Sequence, residues 1–79
     1  MKKALTLVVS SIVDNPKKVK IQEEDQDDIV QLIISVHPED MGKIIGKEGK
    51  VIRSIRNVMK IPAIKLGKRI NISLIDESQ

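Results

Sequence analysis

A glycine-bounded loop near the centre of the chain, Gly46-Lys47-Glu48-Gly49, is the sequence feature best suited to chemistry. Glycine reaches backbone angles with positive φ, and its missing Cβ lets another backbone approach closely. If a helix begins at Lys50, the unpaired N–H groups of its first turn and the positive end of its dipole face the loop and attract anions. The loop is therefore predicted to contact a sugar-phosphate backbone, with a groove of aliphatic side chains beside it as a seat for bases.

Two helices are predicted to hold this loop between them. The first begins at Pro38-Glu39-Asp40, because a proline and two acids are favourable in a first turn, and it reaches Ile45. The second opens at Lys50 and carries apolar residues at helical spacing. Pro62 leaves two readings: an early end followed by a loop, or, as we favour, a kinked helix that reaches about residue 66 before a C-cap glycine. The residues at helical spacing are Ile52, Ile55 and Met59.

A further helix and three strands are predicted around this pair. Residues 3–13 have a one-sided apolar pattern that indicates an amphipathic helix. Apolar and polar residues alternate in 17–22 and in 69–75, which predicts half-buried strands. Residues 29–36 are β-branched and almost wholly apolar, which predicts a strand covered on both faces or nearly so. The acidic run 23–28 is predicted to be a solvated hairpin turn, since it lacks the ligand spacing of a calcium loop.

The order α-β-β-α-α-β determines the predicted topology. A strand, two helices and a strand form a crossover, so strands 29–36 and 69–75 are expected to lie parallel with the helices on one face. Strand 17–22 is expected to be the antiparallel partner of 29–36. We therefore predict an α/β fold of the α+β two-layer type, with a three-stranded mixed sheet, in a single domain spanning residues 1–79.

The loop and its flanks match a known pattern, and the chain resembles the KH domain, whose hallmark is I-G-x-x-G-x-x-I between two helices. The αβ extension, residues 1–23, precedes the β-α-α-β core, residues 29–75, as in the prokaryotic type II arrangement. Over essentially its whole length the chain is similar to small bacterial RNA-binding proteins built from one KH domain. The residues that fill the hallmark are Ile45, Gly46, Gly49 and Ile52. The other stretches that carry the likeness are Val13–Pro16, Pro38–Lys47 and Lys68-Arg69.

The resemblance implies specific roles for residues around the loop. In KH domains the loop clamps the backbone of about four nucleotides of a single strand. Here Gly46, Lys47, Glu48 and Gly49 would form that clamp. The residues that would touch phosphates are Lys50 and Arg53, and those that would seat bases are Ile45 and Ile52. Because Glu48 is an acid among phosphates, the binding is expected to be weak, salt-sensitive and poorly selective for sequence.

The resemblance also implies a biological setting. Such proteins are cytoplasmic binders of single-stranded RNA, with DNA as an alternative ligand. They act as RNA chaperones or post-transcriptional regulators linked to cell elongation, division and wall organisation. They form homodimers, or heterodimers with a larger KH-containing protein. The alternative is an assembly module that serves mainly for dimerisation, with vestigial nucleic-acid binding.

Composition and charge restrict the means of recognition. The chain has no Phe, Tyr, Trp or Cys, which excludes recognition by aromatic stacking, thiolate zinc sites and disulfides. Residues 22–40 carry a formal charge of −7 and residues 41–69 a charge of +8, a polarity that suits a polyanion on one surface. Each feature also has an interpretation without nucleic acid. The glycines would then form only a tight connection between two helices, and the basic stripe would be an ordinary solvated helix face. That stripe consists of Lys50, Arg53, Asn57 and Lys60.

Neither catalysis nor membrane attachment is predicted. His37, the only histidine, precedes a proline at a strand end and lacks the partners of a catalytic site, so we expect no enzyme, cofactor or metal. Lys2-Lys3 followed by an apolar stretch imitates a signal peptide, but Thr6 and Ser10 interrupt that stretch. No apolar run approaches the roughly 18 residues of a membrane span. A cytoplasmic, soluble protein is expected.

Overall fold

The computed structural model describes residues 2–76. Its order of elements confirms the predicted α-β-β-α-α-β arrangement. Short 3₁₀ turns at Pro16–Lys18, Pro38–Asp40 and Lys47–Gly49 join several of the elements. The helices and strands are α1 (Lys2–Ile12), β1 (Lys20–Gln26), β2 (Ile29–Val36), α2 (Met41–Ile45), α3 (Lys50–Lys65) and β3 (Arg69–Asp76).

The sheet has the order β1-β2-β3, with β2 antiparallel to β1 and parallel to β3, as predicted. Every second residue of β2 is buried against the three helices. The expectation that β2 is covered on both faces, or nearly so, is met fully on one face only, because all three helices pack there and the other face is half-buried. Ile29 is exposed and Ile33 half-buried on the other. The fold is thus a two-layer α+β sandwich with one open sheet face. The buried residues of β2 are Val30, Leu32, Ile34 and Val36.

The first hairpin differs from the prediction in position. The 3₁₀ turn that begins at Pro16 occupies the start of the predicted strand, so β1 begins at Lys20 rather than at residue 17. The strand then continues through Glu23, Glu24, Asp25 and Gln26, which had been predicted as part of the turn. Acids are tolerated there because β1 is an edge strand, with only Ile21 buried. The actual turn is Asp27-Asp28, and Asp27 takes a φ of 53°.

Helix α3 continues through Pro62, which confirms the reading of a helix that passes the proline. It ends in a Schellman motif, because the Gly67 N–H donates to the Ile64 carbonyl at 3.0 Å and the Lys68 N–H donates to the Ala63 carbonyl at 2.9 Å. Gly67 supplies the left-handed residue, with φ +69°. This turn leads the chain directly into β3, which lies beside α3.

Strand β3 and helix α1 follow their predicted spans within one residue. Ile72 of β3 and Leu5 of α1 lie in the same core, so the N-terminal helix closes the same layer as α2 and α3. Among the helices of residues 2–76, none is both long enough and apolar enough to cross a membrane.

Candidate nucleic-acid interface

A buried carboxylate fixes the start of α2, the helix that leads into the glycine loop. Asp40 is 1% exposed and accepts three hydrogen bonds from the segment that follows α1. The donors are the Asp14 N–H at 3.2 Å, the Asn15 N–H at 3.0 Å and the Asn15 Nδ2 at 3.1 Å. Burial alone would raise the pKa of Asp40, but the hydrogen bonds from Asn15 and Asp14 and the charge of Lys43 outweigh it and lower the pKa. Sequence reasoning treated this residue only as an acid at a helix start.

A surface ion pair reinforces this junction. Lys43 of α2 donates to the Asp14 carboxylate, and this hydrogen bond is the main reason that the pKa of Lys43 is raised. Both side chains are substantially exposed, so the pair adds little stability. Its consequence is electrostatic: Lys43, although close to the loop in sequence, is already neutralised by a partner on the α1 side.

Gly46 ends α2 in a conformation that only glycine adopts readily. Its φ and ψ are 77° and 173°, and its N–H donates to the Gly42 carbonyl at 2.8 Å. A Cβ at this position would lie 2.3 Å from Cγ2 and 2.8 Å from the backbone N of Val51. The requirement for glycine is therefore both conformational and steric, since α3 packs directly against it.

Two left-handed residues complete the loop. Glu48 has φ 57° and ψ 25°, and Gly49 has φ 73° and ψ 16°. Unlike Gly46, Gly49 faces open space, because a Cβ built on it meets no heavy atom within 4 Å. The loop thus combines one glycine at which α3 leaves no room for a Cβ with one at which that space is open, and the Gly49 N–H donates to the Gly46 carbonyl at 3.2 Å.

The structure brings most of the predicted site residues together at the surface. The four polar ones, Lys47, Glu48, Lys50 and Arg53, are exposed on the loop and the first turns of α3. Ile45 is 38% exposed and adjoins the loop, whereas Ile52 is 7% exposed and packs in the core. Of the two isoleucines, Ile45 therefore provides most of the exposed aliphatic surface that a base could contact.

A basic flank between α3 and β3 adjoins the loop, and it adds Arg56, which the sequence analysis did not single out, to the Arg53 and Lys60 of the predicted stripe. Arg56 reaches from α3 to the Ile72 carbonyl of β3, with Nη2 at 3.4 Å from the oxygen. Its spacing from Arg53 and Lys60 (three and four residues) places all three on one side of α3, a signal available in the sequence. Further along is a shallow cavity lined by Lys60, Ala63, Ile64, Lys68, Arg69 and Ile70.

The acidic segment lies away from this flank for most of its length. Strands β1 and β3 are the opposite edges of the sheet, so the carboxylates of β1 line the edge farthest from α3's basic side. The exceptions are Asp25, which pairs with Lys68 at 2.5 Å across the start of the sheet, and Asp28, whose carbonyl accepts from the Arg69 N–H at 2.7 Å. The basic flank therefore lies on the opposite side of the sheet from most of the carboxylates of β1.

Comparison with known proteins finds one matching family model and several relatives that share one name. A family model described as the KH domain of KhpA and KhpB matches residues 2–74. The RNA-binding protein KhpA of Clostridium acetobutylicum is 40% identical over 75 residues, which are 95% of this chain and 100% of that protein. The protein of the same name from Clostridium perfringens is 39% identical over the same shares. The one from Bacillus subtilis is 30% identical over 69 residues, 87% of this chain and 85% of that protein.

Proposed function

This chain belongs to the KhpA/KhpB family of KH domains, and on that premise we propose that it binds single-stranded RNA and is not an enzyme. The strand's backbone lies across Gly46–Gly49, and its bases point toward Ile45. The observation that carries the proposal is the open space beside Gly49, where a Cβ would lie, at the N-terminus of α3, with Lys47 and Lys50 exposed on either side. Such a site attracts a phosphate through the helix dipole and the lysine charges, whereas the Gly49 and Lys50 N–H groups donate within the loop to the Gly46 and Lys47 carbonyls.

The basic flank extends the proposed path of the strand. Arg53 follows Lys50 by three residues, and Arg56 holds the next position beside β3. We assign Arg53 to phosphate contact, and Ile52 to the floor of the groove beneath Ile45. Glu48 opposes the phosphates and keeps the affinity low, so binding depends strongly on salt.

The test is a titration of dye-labelled single-stranded RNA, since the chain has no aromatic residue to report binding. Wild type is compared with a Lys47→Asp, Glu48→Asp double variant at about 50 and 200 mM salt. Aspartate tolerates the left-handed conformation of residue 48, so the variant keeps both glycines and its fold. We expect an affinity loss of about tenfold or more and a shallower salt dependence, because an attractive charge becomes repulsive.

Lys3→Asp supplies the matched control, because it makes the same charge change on an exposed residue at the start of α1. It should lower the affinity far less than the loop variant. Equal binding by wild type and the folded loop variant would refute the clamp. A parallel titration with DNA of the same sequence measures the preference for RNA.

We further propose that residues 1–79 act as one KH domain in the cytoplasm, as a chaperone or post-transcriptional regulator of cell elongation, division and wall organisation. A single clamp holds few nucleotides, so useful affinity needs a second domain. That domain comes from a second copy of the chain or from a KhpB/Jag-like protein.

The second candidate function, dimerisation, is favoured by an exposed apolar face on α3. Several large aliphatic side chains of this helix face away from the core, each more than half exposed, and clusters of this kind mark interaction sites. They are Val58, Ile61 and Ile64, with Leu66 directly after the end of the helix. We propose that a second copy of the chain covers this face, which lies on the side of α3 opposite its buried residues.

Ile61→Lys is predicted to convert a dimer into a monomer without loss of fold, because the residue is 58% exposed. The measurement is molar mass by sedimentation over a range of concentrations. Leu7→Lys, on a more exposed aliphatic residue of α1, should leave the mass unchanged. A monomeric wild type, or an Ile61→Lys variant that remains dimeric, would remove this face from consideration as the homodimer interface.

A further inference from the structure

Ile64 belongs to two surfaces of α3 at once. It is 72% exposed and forms part of the apolar face that we assign to a second copy of the chain. It also lines the shallow cavity at the far end of the basic flank, together with Lys60 and Arg69. Lys60 precedes Ile64 by four residues and Ile61 precedes it by three, so both are its neighbours on the helix surface. The proposed dimer face and the proposed path of the RNA therefore share a border.

The charges beside this border decide how two copies can pair through α3. Lys65 follows Ile61 by four residues and is exposed on the same side of the helix. If two α3 helices packed parallel, with Ile61 against Ile61, each Lys65 would face the other and the two helix C-termini would lie together, which is unfavourable. If they pack antiparallel, residues four positions before and after Ile61 meet, so Lys65 faces the uncharged Asn57 of the second copy. Antiparallel pairing is therefore favoured.

We propose that a second copy, paired antiparallel through α3, completes the RNA groove, so that one strand lies across both copies. A two-fold axis perpendicular to both helices leaves the two basic flanks on the same surface, whereas parallel helices would turn them to opposite surfaces. The cavity at Ile64 then continues into the basic flank of the second copy. RNA binding and dimerisation therefore strengthen each other by the same factor. The inference rests on the proposed RNA binding and on the proposed dimer face.

The distance between the two clamps sets the length of RNA that shows this coupling. Lys50, at the clamp, precedes Ile61 by eleven residues. At about 1.5 Å per residue this is roughly 16 Å along α3, so the clamps of an antiparallel pair lie about 33 Å apart. A strand of about twelve nucleotides spans that distance at about 3.4 Å per nucleotide. A strand of about five nucleotides occupies a single clamp, which holds about four.

The test measures the affinity for both lengths of dye-labelled uridine RNA and the molar mass of the protein by sedimentation. Wild type should bind the longer RNA about tenfold or more tighter than Ile61→Lys does, although the lysine adds positive charge. The longer RNA should also tighten the wild-type dimer by a similar factor. The shorter RNA should bind both proteins alike and leave the dimer unchanged. Leu7→Lys, which adds the same charge on an exposed residue of α1, should behave as wild type.

Each outcome decides the question. If the longer RNA binds Ile61→Lys as tightly as wild type, or dissociates the wild-type dimer, the groove does not cross the two copies and the inference is overturned while the clamp stands. If neither RNA binds wild type, RNA binding itself fails, and the inference with it. If wild type stays monomeric with and without RNA, the dimer face and the inference both fail. A length-dependent loss of affinity in Ile61→Lys, together with a tighter wild-type dimer, supports the inference.

Discussion

Gly46→Ala is expected to remove about half of the stability of the domain, whereas Gly49→Ala, three residues along the same loop, should leave it folded. The φ and ψ of Gly46 lie in a region that is nearly exclusive to glycine, which costs another residue roughly 1–3 kcal/mol. The new Cβ would also lie 2.3 Å from Val51 Cγ2, 2.7 Å from Val51 Cβ and 2.8 Å from Val51 N. Relief of such a clash requires α3 to move, which adds about 1–3 kcal/mol.

The expected total of about 2–6 kcal/mol must be compared with the stability available. A chain of 79 residues is typically stable by roughly 4–12 kcal/mol, so this one substitution brings the domain near its unfolding threshold. Urea denaturation followed by far-UV circular dichroism measures the loss, since the chain has no aromatic fluorophore.

Gly49→Ala is the matched comparison because only the backbone conformation opposes it. Its φ of 73° and ψ of 16° lie in the ordinary left-handed region, at a cost of about 1–2 kcal/mol, and no atom obstructs the Cβ. The loop already accommodates Glu48 in the same region. Equal losses of stability for the two variants would show that the contact with Val51 is unimportant.

The sequence predicted best those elements whose pattern is local. Strand β2 was placed at its observed limits, because a β-branched apolar run bounded by acids and by His37-Pro38 needs no tertiary information. Helix α3 was predicted through Pro62 because its apolar spacing persists beyond the proline. The glycine loop followed from its two glycines and their flanking aliphatic residues.

The errors and omissions concern properties that only the assembled fold determines. An acidic stretch such as 23–26 has the composition of a turn, and it becomes strand because β1 is an edge whose side chains remain in water. The burial of Asp40 depends on the segment after α1, 25 residues earlier. The contact of Arg56 with β3 depends likewise on how α3 packs beside the last strand. Periodicity along one element carries none of this information.

Asp40→Ala is the other substitution from which we expect a large effect, because the carboxylate joins the segment after α1 to the start of α2. Its removal leaves the Asp14 N–H, the Asn15 N–H and the Asn15 amide without their acceptor at a nearly closed site. We expect the melting temperature to fall by about 10 °C at neutral pH. Asp40→Asn should also destabilise, since its amide nitrogen would face a donor. Glu39→Gln is the control, because it removes one negative charge from the adjacent exposed position.

The difference between wild type and Asp40→Ala should also depend on pH, with a sign that the lowered pKa of Asp40 determines. The pKa of this carboxyl is lower in the folded protein than its ordinary value of 3.8. As the pH falls towards that value, the unfolded protein therefore takes up a proton at Asp40 more readily than the folded one. The stabilisation is therefore complete above about pH 5 and is lost as the pH falls through the lowered folded value. Melting curves from pH 7 to pH 2 should show the two proteins converging only at the acid end. A constant gap throughout would mean that Asp40 acts by packing alone.

Because the same carboxylate sets the position of α2, RNA affinity at neutral pH should fall with Asp40→Ala and remain unchanged with Glu39→Gln.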